Sequence, residues 1–477
     1  MPGIVFLLLF LILPLEGDVK RESSSMIDPE ERHVSNKNLY STNGIINLLG
    51  HVEILKDSIP RTDLNDVWGY VDPVTNREYA LVGYGNFRTP PNSGVIIYDV
   101  TDPTSPIEVS ALNTITGYDV KVWNNYMYTV SGLDGNLGGI VDISDPSNPI
   151  LVGNIPSSHN ITISDKGYVY SAFSGIRIFD LNVDPTNPIL RWSGGDEGND
   201  IAIIGNRMYD FHGGLFLTEA LVTNIYDITD PVEPLLLASI RDPRIINHHS
   251  GWPTEDGNYL VITDDIGKHP TPDFTVWDIS DLDNISMVGE FTDSNATINN
   301  AYIIGDLMFA SYFSAGFRVF DISDPGNPSL LDEFDTSPSF DTEGNAIGGW
   351  GIYPFLPSGI ILFTDNRTGL YIFSVNEIIS IDSELSSNLI RDYELFANYP
   401  NPFNPATTIE FALSKEEDIS LVIYNILGEK VEILLNGQQS AGYHKVTWNA
   451  SNVPSGIYFY RLQAGIFVET RKMVLLR

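Results

Sequence analysis

One phrase returns along this chain and limits its fold more than any other feature. IIYDVTDPTSP ends at Pro106, GIVDISDPSNP at Pro149, RIFDLNVDPTNP at Pro188 and NIYDITDPVEP at Pro234. TVWDISDLDN follows without the prolines, RVFDISDPGNP ends at Pro328, and a worn seventh copy, LYIFSVNE, begins at Leu370. The first Asp of each phrase is Asp99, Asp142, Asp180, Asp227, Asp278 and Asp321, separated by 43, 38, 47, 51 and 43 residues, and Ser374 follows 53 later. Self-similarity at this period is the mark of a propeller array. The local physics is a strand ending in a turn. Pro fixes φ, and the Asp side chain accepts from nearby backbone N–H groups. The repeated Asp residues therefore read as structural turn formers, not as chemical groups.

Between the phrases lie further strands, such as DVKVW from Asp119, YMYTVS from Tyr126 and PILVGNI from Pro149, giving four per unit. They are apolar at both alternating positions, as expected of a sheet covered on both faces by neighbouring sheets. The 40 Gly and 29 Pro against only 18% charged residues fit short strands and tight turns. The seventh unit lacks a fourth strand before the polar stretch NEIISIDSELSSN. INLLGHVEI, residues 46–54, resembles the fourth-strand phrases PILVGNI and PIEVSAL yet precedes the first unit. It is expected to close the ring by covering the last sheet's open edge.

The 26 basic and 62 acidic residues give a net charge of -36, which repels phosphate backbones, so nucleic acid is not an expected partner. The apolar run of residues 4–15 is too short to span a bilayer and reads as a signal peptide, although its n-region has no Lys or Arg. No later segment reads as transmembrane. With no Cys, disulfides, thiolate metal sites and N-terminal lipoprotein attachment are excluded.

After residue 393 the composition changes to ELFANYPNPFNPATTIEFALSKEEDISLVIYNILGEKV, then GYHKVTWNASNVPSGIYFYRLQAG. Alternation at Ile409, Phe411 and Leu413, and at Ile419, Leu421 and Ile423, predicts half-buried antiparallel strands of a small sandwich. The YPNPFNP, IYNILGEKV and PSGIYFYRL phrases closely resemble the type A C-terminal sorting domain of the type IX secretion system of Bacteroidota. That resemblance implies Sec export, passage through the outer membrane, removal of the tail and, often, attachment to surface lipopolysaccharide. The repeat phrases resemble the LVIVD repeat. With DVWGYVDPVTNREYALVG from Asp66, SHNITI from Ser158, SYFSAGFRVFDISDP from Ser311 and GGWGIYPFLPSGIILFTDNRTGLYIF from Gly348, residues 43–376 look like the choice-of-anchor B family. This implies a secreted propeller of unassigned biochemistry. Asn299 and Asn300 depart from the His-Asn often found there.

The expected architecture is all-β, a seven-bladed β-propeller followed by a small immunoglobulin-like β-sandwich. It divides as signal peptide 1–17, linker 18–42, propeller 43–377 with its N-terminal closing strand, linker 378–392 and sorting domain 393–477. Aligning the starts of the first strands brings Asp66, Asp119, Asn160, Asp200, His249 and Asn300 to comparable positions, preceded by Asn65, His159, Asn199, His248 and Asn299. Innermost strands line a propeller's channel, so a polar ring able to hold a small ligand or a divalent cation such as calcium is one reading. Capping of strand ends by Asn and Asp is the other. Adjacent residues point to opposite faces, so at most one of His248 and His249 reaches the channel. DDIGKHPTPD from Asp264 reads as a solvent-exposed loop with the wrong spacing for an EF-hand. Walker, HExxH and Cys-nucleophile patterns are lacking. The expected function is that of an exported, cell-surface or secreted binding or display module, monomeric, handled by the type IX machinery and contacting a surface polymer or protein, with Trp68, Trp123, Trp252 and Trp350 as contacts or core. The alternative is a metal-dependent hydrolase or lyase using the channel ring.

Overall fold

The structure is a computed structural model that describes residues 44–53, 64–376 apart from 86–88, 134, 173–174, 196–197, 214–220, 267–270 and 338–347, and most of 394–476. The expected signal peptide and both linkers lie outside the described residues, apart from the edges of the repeat region.

Every regular element among the described residues is a strand. Six consecutive groups of four strands form antiparallel meanders, beginning at Leu64, Asp119, Asn160, Asp200, Gly251 and Thr297. In the seventh sheet Gly349–Tyr353, Ile361–Asp365 and Gly369–Val375 are joined by Ile46–Glu53, which pairs antiparallel with Gly369–Val375 from Ile46 opposite Val375 to Glu53 opposite Gly369. The first strand of each sheet touches that of the next, and Leu64–Val71 touches Gly349–Tyr353, so the cycle is closed. These are the sheets and the circular order that a propeller requires.

The core is divided accordingly. One apolar cluster lies between each pair of neighbouring sheets, as where Tyr70, Leu81, Val95 and Ile97 of the first meet Val120, Met127, Val141 and Ile143. This is why the strands are apolar on both faces: each sheet has two neighbours and no wet side. The turn chemistry is equally regular. Asp99, Asp142, Asp180, Asp227, Asp278 and Asp321 each accept from the backbone N–H two residues on, at 2.7–3.0 Å. The hydroxyls of Ser144, Thr229 and Ser280 hold the Asp142, Asp227 and Asp278 carboxyls below their usual range.

A register shift recurs where the third and fourth strands pair, leaving Val109, Val152, Arg191, Leu237, Val288 and Leu331 unopposed. The closing strand carries the same irregularity at Leu49. The residue that follows is often small because the next sheet's turn presses on it. A Cβ on Gly153 would sit 2.1 Å from the Thr186 carbonyl oxygen, and one on Gly50 2.1 Å from that of Pro103. Ser110 meets the same approach by donating its hydroxyl to the Pro146 carbonyl at 2.7 Å. In the sixth sheet this position is Asp332, and the seventh sheet has no Asp-Pro turn to offer. There Asp332 Oδ2 instead accepts from the N–H groups of Ile45 and Ile46, both at 2.8 Å.

The C-terminal segment forms two antiparallel sheets around one core. The first holds Glu394–Leu395, Ala406–Leu413 and Gly442–Asn449, and the second Lys430–Gln439, Glu417–Asn425, Gly456–Ala464 and Phe467–Leu475. Ile409, Phe411, Leu413, Ile419, Leu421 and Ile423 are all buried in that core, with Trp448 and Tyr460. Within the YPNPFNP phrase, Asn401 and Phe403 bond to the end of the last strand. Phe403 exchanges backbone bonds with Val474 and Leu476, and Asn401 Oδ1 accepts from Val474 N–H at 2.8 Å.

Candidate functional site

A cavity of about 70 Å³ lies among the first strands and takes lining residues from all seven sheets. Residues i and i+2 of a strand share a face, so the wall is built in two tiers. The outer is polar: Asp66, Asn160, Asp200, Ser250 and Asn300. Two residues further on stand Trp68, Thr162, Ala202, Trp252 and Tyr302. Tyr118, His159, His249 and Trp350 complete the polar end, while Trp252 and Tyr302 pack edge to face with centroids 4.8 Å apart.

Among the described residues that line the cavity, the second sheet supplies the one Lys or Arg. Lys121, two residues beyond Asp119, is buried, with Nζ 2.8 Å from Asp66 Oδ2, hydrogen-bonded to Asp119 Oδ1, and 4.5 Å from the Trp68 ring centroid. Burial alone would favour neutral lysine, but Asp119 and Asp66 overcome it and hold the ammonium well above the ordinary range. Burial raises Asp66, with Lys121 acting against it. Asp119 goes the other way: its burial is outweighed by Lys121 and by hydrogen bonds, one of them from Ile161 N–H at 2.8 Å.

Burial, opposed in part by His249, pushes Asp200 up to about 6. Burial and the neighbouring His249 push His159 down to about 4. His159 is therefore neutral near pH 7, and its Nε2 lies 3.1 Å from the Tyr118 hydroxyl. His249 Nδ1 donates to the Asn299 carbonyl at 3.1 Å, and Nε2 stands 3.5 Å from Asp265.

Of the eight residues expected in the ring, Asp66, His159, Asn160, Asp200, His249 and Asn300 line the cavity, whereas Asp119 and His248 do not. Asp119 turns back to join Lys121 to the third sheet. His248 is fully buried on the opposite side, 2.8 Å from the Thr223 hydroxyl. The pair precedes strand Gly251–Pro253 instead of lying in it. Asn65, Asn199 and Asn299 cap neighbouring sheets, donating to the carbonyls of Gly117, His249 and Trp350. Capping and lining thus coexist in one ring. Trp123 packs between the second and third sheets, while the other three named tryptophans face the cavity.

Sequence reasoning missed Lys121, Tyr118 and Tyr302. The signal was present, since Lys121 follows Asp119, and Tyr302 follows Asn300, by one strand repeat. The run from Asp264 needs correction as well. Asp264 and Asp273 are buried, and Asp264 accepts from the N–H groups of Ile246 and Asn247, so its ends are structural; residues 267–270 lie outside the described residues. Among the described residues no three His, Asp, Glu or Cys side chains converge as metal ligands. The place a cation would take between Asp66 and Asp119 is held by Lys121.

Fold and site together define an all-β repeat protein with a lined cavity among its first strands and two further β-sheets in its C-terminal segment. Residues 117–156 and 301–336 match the LVIVD repeat, and residues 397–476 match the secretion system C-terminal sorting domain. The chain is therefore secreted or carried to the cell surface by type IX secretion. No curated protein matches it. Similar solved structures include PorZ, an essential bacterial surface component of the type-IX secretion system of Porphyromonas gingivalis, at 13% identity and TM-score 0.42, covering 89% of this chain and 61% of PorZ. A protein from Lactobacillus plantarum has 10% identity and TM-score 0.47, covering 77% of this chain and 99% of its own. Sqt1 of Saccharomyces cerevisiae has 9% identity and TM-score 0.44, covering 69% and 98%. The chain thus spans 61% of the length of PorZ. Among the described residues no helix is long and apolar enough to cross a membrane.

Proposed function

We propose that this is a choice-of-anchor B type protein: a signal peptide at 1–17, a seven-bladed propeller over 43–377 that binds or displays a ligand at the cell surface, and an immunoglobulin-like sorting sandwich over 393–477. The observation that carries the binding reading is the channel wall, in which side chains from every sheet, several polar and several aromatic, surround one cavity. A rigid ring with such a wall is suited to hold a ligand, and its outer loops are free to meet a surface polymer or protein. The hydrolase or lyase alternative needs an activated water and a cation beside it. Lys121 already occupies the position between Asp66 and Asp119 that a cation would take, which favours binding over that chemistry.

Two measurements test the proposal. Removal of residues 393–477 is expected to leave the propeller in the periplasm; normal surface delivery of the truncated chain refutes the sorting role. Metal analysis of the purified chain, with melting before and after chelation, is expected to find no stoichiometric ion and no shift. A stoichiometric ion that disappears in His249→Ala would turn the reading toward the metal-dependent enzyme.

A further inference from the structure

We propose that the channel cavity is a site for a primary ammonium group with the Asp200 carboxylate as its counter-ion, an inference that rests on reading the channel as the ligand site. The charges around the cavity do not balance. Three carboxylates, Asp66, Asp119 and Asp200, meet one ammonium, Lys121, which bonds to the first two and not to the third, and the nearby His249 imidazole is directed to the Asn299 carbonyl and Asp265. Asp200 Oδ1 accepts from Ile201 N–H at 2.7 Å. Its other oxygen has no hydrogen-bond partner among the described residues and belongs to a side chain on the cavity wall. Burial raises the Asp200 carboxyl to about 6, more than the neighbouring His249 and Lys121 lower it.

The remaining wall favours a donor over an acceptor. Asn300 gives its Nδ2 to the Trp350 carbonyl at 3.4 Å, which leaves its Oδ1 as an acceptor, and Asn160 stands in the same tier. Trp252, Tyr302 and Trp350 contribute aromatic rings, whose faces attract cations. Lys121 is the internal precedent: an ammonium held in this cavity by two carboxylates over an indole. Anionic ligands meet both the carboxylate excess and the chain's net charge of -36. The volume of about 70 Å³ suits a compact head group carried on a larger molecule that extends out of the channel.

The test uses the full chain and two matched probes, ethanolamine and 1,2-ethanediol, titrated near neutral pH by calorimetry and by the fluorescence of the channel tryptophans. Ethanolamine is expected to bind saturably and ethanediol at least about tenfold more weakly. Asp200→Asn keeps the acceptor for Ile201 N–H and is expected to weaken ethanolamine roughly tenfold to a hundredfold. Asn160→Asp adds a second carboxylate to the tier and is expected to tighten it, so the idea remains exposed even if the first variant folds poorly. Equal binding of both probes, unmoved by either substitution, overturns the charge assignment while leaving the channel as a ligand site. Binding of neither probe overturns the ammonium site and leaves the outer loops to carry the binding role.

Discussion

Replacing Asp332 by Asn is expected to loosen the ring at its one non-repeated joint. Asp332 is 1% exposed and serves backbone donors with both oxygens: Oδ2 takes the N–H groups of Ile45 and Ile46 at 2.8 Å each, and Oδ1 takes that of Glu333 at 2.9 Å. Asparagine has one carbonyl oxygen, so whichever way it turns, its NH2 faces at least one of those donors. A bond to a charged acceptor contributes about 1.5–3 kcal/mol and a neutral one about 0.5–1.5. Losing one charged bond and weakening two gives a cost of about 2–4 kcal/mol. The loss falls first on strand Ile46–Glu53, which has no turn linking it to its partner Gly369–Val375. Native-state hydrogen exchange followed by mass spectrometry should therefore show amides of Ile46–Glu53 exchanging roughly thirtyfold to several-hundredfold faster. The fourth strand of the second sheet, Ile150–Pro156, is the internal control and should be unchanged. If both strands keep their wild-type protection and the melting curve does not move, the latch reasoning is wrong.

Gly153→Ala places a methyl 2.1 Å from the Thr186 carbonyl oxygen and is expected to cost about 1–3 kcal/mol in denaturant unfolding, where a neutral result would mean the sheets can part without strain. Lys121→Met leaves Asp66 and Asp119 buried without their cation and is expected to cost about 3–5 kcal/mol; adding Asp66→Asn and Asp119→Asn should recover much of it, and failure to recover refutes the ion-pair account. Asp200, whose folded pKa is about 6 against 3.8 for the free group, binds its proton more tightly when folded. Its contribution is thus full below about pH 4 and lost as pH rises through about 6. Burial raises the pKa, with Asp119 adding and His249 and Lys121 opposing, so the stability gap between wild type and Asp200→Asn should change across that window, and a constant gap measured by unfolding at several pH values refutes the assignment.

What could be read from the sequence followed from how local its cause was. The Asp-Pro phrases announce turns because the Asp side chain bonds to a backbone N–H only two residues away, and apolar runs on both faces announce sheets with two neighbours. The resemblance of INLLGHVEI to PILVGNI carried further than composition suggested, since Leu49 and Gly50 occupy the irregular position and the tight position that Val152 and Gly153 occupy in the second sheet. The polar ring was legible as an alignment of strand starts. Which members face inward was not, because Asp119 and His248 are turned away by partners on other sheets, Ile161 and Thr223. Lys121 escaped notice for a related reason: a lysine in DVKVW looks like an exposed residue until the cross-sheet contact with Asp66, 55 positions earlier, is known.

The joint between Ile46–Glu53 and Gly369–Val375 also sets an order of events. A ribosome delivers the first of these strands at the outset and the second only when the last repeat has emerged, so six sheets wait with an unfinished circle until then. A prematurely terminated chain never receives the strand that Ile46–Glu53 is made to cover. Completion of the circle therefore reports that synthesis reached the end of the array, a length check written into the hydrogen-bond ladder itself.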